Sequence, residues 1–121
     1  MLPEETAITR IEAPPGGPVH VFMSGRLGWD VDVKIKKELA LRLEDDWSCR
    51  GIVLDLAEIR FVDSAGISSL LALRRQLGES NGNLALCRVP PRIRQMFELV
   101  GLYRLIPAVG DVADVPVEAL P

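Results

Sequence analysis

Two hydrophobic rhythms meet between residues 51 and 77, GIVLDLAEIRFVDSAGISSLLALRRQL. Ile52 to Leu56 is a short apolar run of the kind that fills a buried strand. Ala57 to Val62 reads as a turn and extension. Asp63-Ser64-Ala65-Gly66 follows, and then an apolar stripe at Ile67, Leu70, Leu73 and Leu77 on one side of a helical wheel. That spacing predicts a helix from about Ser64. A buried strand therefore delivers an Asp-Ser pair to the first turn of a helix.

The rest of the chain alternates in the same way. Residues 6–12 predict an edge strand, and Ala13 to Pro18 is a Pro/Gly turn joining it to a second strand, Val19 to Ser24. In that strand Val19, Val21 and Met23 alternate with His20, Phe22 and Ser24. Gly25 to Gly28 is expected to break it. A helix is expected from Trp29 or Asp30 to about Asp46, with Val31, Ile35, Leu39 and Leu43 on its apolar side, extended by Ala40 and Trp47. Its lysines and acids form a solvated face.

Beyond the central stretch, Gly78 to Asn83 is a polar turn and Leu84 to Val89 a further buried strand. Pro91 opens a helix whose core face is Ile93, Met96, Phe97 and Val100, ended by Gly101. Leu105 to Val109 is expected as a last strand, and the acidic, apolar tail from Gly110 as at most a short helix. The order β-β-α-β-α-β-α-β implies an α/β domain. Its sheet of four or five strands is mostly parallel with an antiparallel edge hairpin, and helices pack on it. One domain is expected over 1–121, with its core at about 6–109 and a tail at 110–121. Functional groups in such sheets gather beyond the carboxyl ends of the strands. Gly28 to Asp30, Asp63-Ser64 and Pro90 to Arg92 all fall at that end.

Composition narrows the function classes. The 121 residues are 48% hydrophobic and 26% charged with a formal charge of −3, an ordinary globular balance with no basic footprint for nucleic acid. No apolar run reaches the length of a membrane span and the N-terminus lacks a signal peptide's pattern, so a cytoplasmic protein with no membrane partner is expected. Cys49, Cys87 and His20 are too few for a structural zinc site of four Cys/His ligands in paired spacings, so no metal is expected. The two thiols are expected reduced and buried. His20, mid-strand with no acidic or nucleophilic neighbour in sequence, is expected to be structural or solvent-facing.

Three readings of Asp63-Ser64 follow from its place. Either residue serves as a helix N-cap, worth about 0.5–2 kcal/mol over alanine. A nucleophilic Ser64 needs a general base oriented by a third group; only His20 is on offer, and no G-x-S-x-G elbow surrounds the serine. Glycine-rich nucleotide loops are absent as well. As a phosphoacceptor, Ser64 would carry a phosphate among free backbone N–H groups at the helix start. The motif holds no lysine or arginine of its own to neutralise it.

The run I-V-L-D-L-A-E-I-R-F-V-D-S-A-G-I at 52–67 resembles the signature of the STAS domain family, the anti-sigma factor antagonists. G-R-L at 25–27 and L-A-L-C-R-V-P-P-R-I-R-Q-M-F-E-L-V-G-L at 84–102 agree with it. The resemblance covers about Val19 to Val109. It implies a regulatory protein, with no catalytic residue and no cofactor of its own, that binds an anti-sigma factor with serine kinase activity and so releases a sigma factor. Phosphorylation of Ser64 would abolish the complex, and a PP2C-type phosphatase would restore it. The partner surface it implies comprises Asp63, Ser64, Ala65, Gly66, Gly28, Trp29, Asp30 and Arg92. The family commonly reads G-x-L-D where this chain has Gly25-Arg26-Leu27-Gly28, so Asp30 or Asp32 is expected to substitute for the missing acid, and Trp29 is a partner anchor or half-packed. The competing expectation is a STAS scaffold or accessory subunit of a stress-signalling or lipid/anion transport complex without a phospho-switch.

Overall fold

The computed structural model describes residues 5–43 and 45–109. A five-stranded sheet runs in the order β1 (Ala7–Glu12), β2 (Val19–Leu27), β3 (Gly51–Val62), β4 (Asn83–Cys87), β5 (Ala108–Val109). The β1–β2 pair is antiparallel and the other three pairs are parallel. Helices α1 (Val31–Arg42), α2 (Ser64–Glu79) and α3 (Pro91–Leu99) connect the parallel strands. The expected element order and sheet hold.

Alternation along the strands separates two faces. Val19, Val21 and Met23 of β2, Ile52, Leu54 and Leu56 of β3, and Leu84 and Leu86 of β4 join one buried cluster with Ile35 and Leu39 of α1, Leu70, Leu73 and Leu77 of α2, and Ile93 and Phe97 of α3. Val53, Ala85 and Cys87 point the other way and form a second small cluster with Val109. His20 and Asp55 alternate onto that second face and are buried there, so His20 is not solvent-facing.

Several boundaries differ from expectation, each for a physical reason. β2 does not break at Gly25: it continues to Leu27, and Gly25 takes φ +84°, a backbone angle glycine reaches without penalty. Residues 57–62 are not a turn but the second half of β3. The pairing Phe22↔Asp55, Ser24↔Glu58, Gly25↔Ile59, Arg26↔Phe61 puts an extra β3 residue at two steps, so β3 bulges twice against β2. At the first bulge the Asp55 carboxylate accepts the Ala57 amide at 3.0 Å. α1 ends at Arg42, and a 3₁₀ segment, Asp45–Cys49, follows it. Ala40 is exposed, whereas Leu43 and Trp47 pack partly on the core. Val100 is exposed and Met96 half-buried, so α3 offers only Ile93 and Phe97 to the core. A 3₁₀ turn, Leu102–Arg104, shortens the last strand to two residues. Both cysteines are thiols, but Cys49 is exposed and only Cys87 is buried. The tail expected from Gly110 lies outside the described residues.

Candidate functional site

The double bulge lengthens β3 until Val62 stands beside Leu27, the last residue of β2. The chain then turns into α2 under tight constraint. Asp63 N–H reaches the Leu27 carbonyl at 3.4 Å. A Cβ placed on Gly66 would lie 2.1 Å from that same oxygen, so only glycine lets the first turn of α2 settle against the end of β2. The G of the D-S-A-G motif is thus a packing requirement that fixes where Ser64 stands.

Asp63 is the N-cap. Its backbone is extended, and its Oδ1 accepts the Gly66 amide at 2.7 Å. Its Oδ2 accepts from Arg26 Nε at 3.1 Å and also from Arg26 Nη2. The guanidinium and the Gly66 amide together hold the Asp63 carboxyl below the usual carboxylate range. Ser64, the first residue of α2, is exposed, and its hydroxyl makes no hydrogen bond among the described residues. Ala65 is exposed beside it and Gly66 buried beneath. The cap reading therefore applies to Asp63, and Ser64 is left over.

Arg26 is the residue that the reading of the motif missed. It lies 37 positions upstream of Asp63 and reaches it only because β2 and β3 are neighbours. The signal was present as the middle letter of Gly25-Arg26-Leu27: on a strand that continues, rather than breaks, that arginine points at the end of β3.

The other predicted residues divide. Trp29 is 74% exposed just beyond β2, at the same sheet end as Ser64, and Phe61 is exposed at the end of β3. Gly28 is buried, yet a Cβ there would meet only Arg26 Nε and Asp30 Oδ1, each at 3.9 Å, so the backbone leaves room for the family's acid. Neither expected substitute is directed to Ser64. Asp30 pairs with Lys34 at 3.4 Å within α1. Asp32 Oδ1 accepts from the Ser69 hydroxyl at 2.7 Å, while Ser69 Oγ accepts the Asp32 amide at 2.8 Å. This reciprocal pair pins the start of α1 to α2, another contact that sequence spacing did not reveal. Arg92 is exposed on the first turn of α3 and forms no hydrogen bond or ion pair among the described residues. This end of the sheet brings together a surface hydroxyl at a helix start, a paired carboxylate behind it, and exposed aromatic side chains. Among the described residues no helix is long and apolar enough to cross a membrane.

The family described as "Mlab, STAS domain" matches residues 13–107. BtrV of Bordetella bronchiseptica, named an anti-sigma factor antagonist, is 34% identical over 78 residues, 64% of this chain and 66% of BtrV, just under two thirds of its length. The crystal structure of an anti-sigma factor antagonist from Mycobacterium paratuberculosis shares the fold at a TM-score of 0.69 and 22% identity, covering 93% of this chain and 92% of that one. SpoIIAA, a Bacillus cell fate determinant, shares it at 19% identity, with TM-scores of 0.60 for its unphosphorylated and 0.57 for its phosphorylated form. Each alignment covers 84% of this chain, and 88% and 91% of those chains. With the family match spanning most of its length and the fold in accord, the chain belongs to the STAS domain family.

Proposed function

We propose that the protein is an anti-sigma factor antagonist whose binding is switched by phosphorylation of Ser64. The observation that carries the reading is the division of labour between Asp63 and Ser64. The aspartate takes the cap and the arginine, and the serine keeps an exposed hydroxyl bonded to nothing among the described residues. A serine needed only to end a helix would be engaged with the backbone.

The same geometry supports an abrupt change on modification. A phosphate adds about −1.5 to −2 units of charge. At the first position of α2 it is tolerated by the helix N-terminus, so the domain stays folded while its surface changes. Arg26 already holds the Asp63 carboxylate, which limits repulsion between the two anionic groups. A partner seated over Trp29 and the start of α2 meets the new charge directly. In this reading the partner is an anti-sigma factor that is also the serine kinase, and a separate phosphatase reverses the step. The antagonist supplies the acceptor hydroxyl and a docking rim and performs no catalysis itself.

The test is a paired pull-down from the native cell extract with Ser64→Ala and Ser64→Asp baits. A kinase-like anti-sigma factor held by the alanine bait and lost from the aspartate bait is the expected result. If both baits hold the same proteins, the serine has no switching role and the domain is a scaffold.

A further inference from the structure

We propose that His20, Asp55 and Cys87 form a Zn(II) site on the sheet face opposite the helices. These residues come from three neighbouring strands: Phe22, two positions after His20, pairs with Asp55, and Asp55 pairs with Cys87. All three side chains are buried, and one ligand atom from each lies within 4.8 Å of the others.

The distances are the telling feature. His20 Nε2 stands 3.7 Å from Cys87 Sγ and 3.6 Å from Asp55 Oδ2. The carboxylate separation is too long for a hydrogen bond and the thiol contact is at best weak. Ligands at the usual Zn–N, Zn–O and Zn–S lengths around a tetrahedron are roughly 3.3–3.6 Å apart. Both distances from the imidazole nitrogen thus match those of atoms sharing one ion, and the carboxylate and thiol, within 4.8 Å of each other, complete the geometry by drawing together by up to about an ångström.

The surroundings of the imidazole fit the same assignment. His20 Nδ1 is buried without a hydrogen bond among the described residues, 3.7 Å from Glu12 Oε1 on β1. A zinc-bound histidine generally turns its other nitrogen to a carboxylate, which fixes the tautomer and strengthens the ligand. Asp55 is held from outside as well, by Arg88 Nε at 2.6 Å on Oδ2 and by the Ala57 amide on Oδ1. The Oδ2 atom keeps a lone pair toward the histidine. One thiolate and one carboxylate offset the two charges of the ion, and Glu12, 3.8 Å from Arg10 on its other side, adds a further carboxylate beside the imidazole. A groove of about 350 Å³, lined in part by Phe22, Asp55, Glu58 and Arg88, opens the Asp55 side of the cluster to solvent. The expectation of no metal rests on the lack of four Cys/His ligands in paired spacings. This set has three ligands, one a carboxylate, and adjacency arises only across strands. It stands apart from Ser64 and does not depend on the antagonist reading.

The test uses the full chain carrying Cys49→Ser, which removes the surface thiol, with Co(II) and then Zn(II) as probes. A near-ultraviolet thiolate-to-cobalt band is expected, with visible bands of tetrahedral Co(II), abolished by about one equivalent of Zn(II). Zn(II) also raises the unfolding temperature. Cys87→Ser loses the band. Should that buried variant fail to fold, Glu12→Gln decides, since Glu12 is exposed; its Zn(II) affinity is expected to fall about 10- to 100-fold. No thiolate band with folded protein, a full band in Cys87→Ser, or unchanged affinity in Glu12→Gln would overturn the proposal.

Discussion

The Arg26 guanidinium grips Asp63 across the junction of β2 and α2, donating from both Nε and Nη2 to one carboxylate oxygen while the other oxygen caps the helix. One side chain thereby locks the end of a strand to the start of a helix and leaves its neighbour, Ser64, on the surface. Position and charge at this corner are separable by mutation. Asp63→Ala removes both and is expected to cost about 0.5–2 kcal/mol through the cap alone. Asp63→Asn keeps the capping oxygen and should cost less, because the arginine pair is partly exposed and screened. Urea unfolding of the three proteins checks the order; an alanine variant as stable as its parent would remove Asp63 from the cap role. The folded carboxyl titrates below its unfolded value, so its contribution is complete above about pH 4. It is lost as pH falls through the folded pKa, and Asp63→Asn should flatten that acid limb.

Two glycines in α2 should respond to alanine with opposite signs. At Gly66 the new methyl would stand 2.1 Å from the Leu27 carbonyl oxygen and 2.7 Å from its carbon, a collision with backbone that no rotamer relieves. At Gly78, in the last turn, nothing lies within 4 Å. Gly78→Ala is therefore expected to stabilise by about 0.5–1 kcal/mol. Gly66→Ala should destabilise by about 1–3 kcal/mol, in the range of other forced overpacking, and displace the first turn that carries Ser64. Thermal or urea denaturation gives the signs directly. A neutral Gly66→Ala would mean that α2 does not rest on β2 as described.

What was legible in the sequence was whatever repeats with a period. The stripe Leu70, Leu73, Leu77 announced α2, the alternation Val19, Val21, Met23 announced the buried face of β2, and Pro91 marked the first turn of α3. What was hidden depends on partners far apart in the chain. Glycine at position 25 looks like a breaker until the bulged partner strand makes its positive φ useful. Arg26 looks like loop polarity until β3 comes alongside. Asp55 lies inside an apolar run where a charge seems out of place, and His20 seems isolated, until the parallel register brings them within 3.6 Å. The motif at 63–66 could be read as a helix start with a choice of caps; only the fold assigns the cap to Asp63.

Ser69 offers a test of the α1–α2 contact. Its buried hydroxyl accepts from the Asp32 amide, one of the N–H groups a helix start leaves unpaired, and donates to the Asp32 carboxylate. Ser69→Ala leaves the Asp32 amide without this partner and the half-buried carboxylate with Gln76 alone, and is expected to cost about 1–3 kcal/mol. A double-mutant cycle with Asp32→Ala, which removes the carboxylate that Ser69 donates to, should show coupling of at least about 0.5 kcal/mol; strict additivity would mean that the hydroxyl–carboxylate bond contributes nothing. The same burial bears on modification. A hydroxyl held in this way is a poor acceptor, so phosphopeptide mapping is expected to find Ser64 modified and Ser69 untouched.

His20 should make the domain sensitive to mild acid. Burial pushes its pKa below the ordinary value, against the pull of Asp55 and Glu12 and with some help from Arg88 and Arg10. The folded pKa is therefore lower than the unfolded value of about 6.5. As pH falls, the unfolded chain takes up its proton first. Stability is thus complete above about 6.5 and declines toward the folded pKa, by at most about 1.4 kcal/mol per pH unit. Urea midpoints measured with EDTA at pH 7.5 and 5.5 should show this loss in the parent and much less of it in His20→Gln. Glu12→Gln removes a carboxylate that favours the imidazolium, so in that variant the decline should extend to lower pH. An identical decline in parent and His20→Gln would assign the acid sensitivity to other groups and leave the buried imidazole without a titrating role.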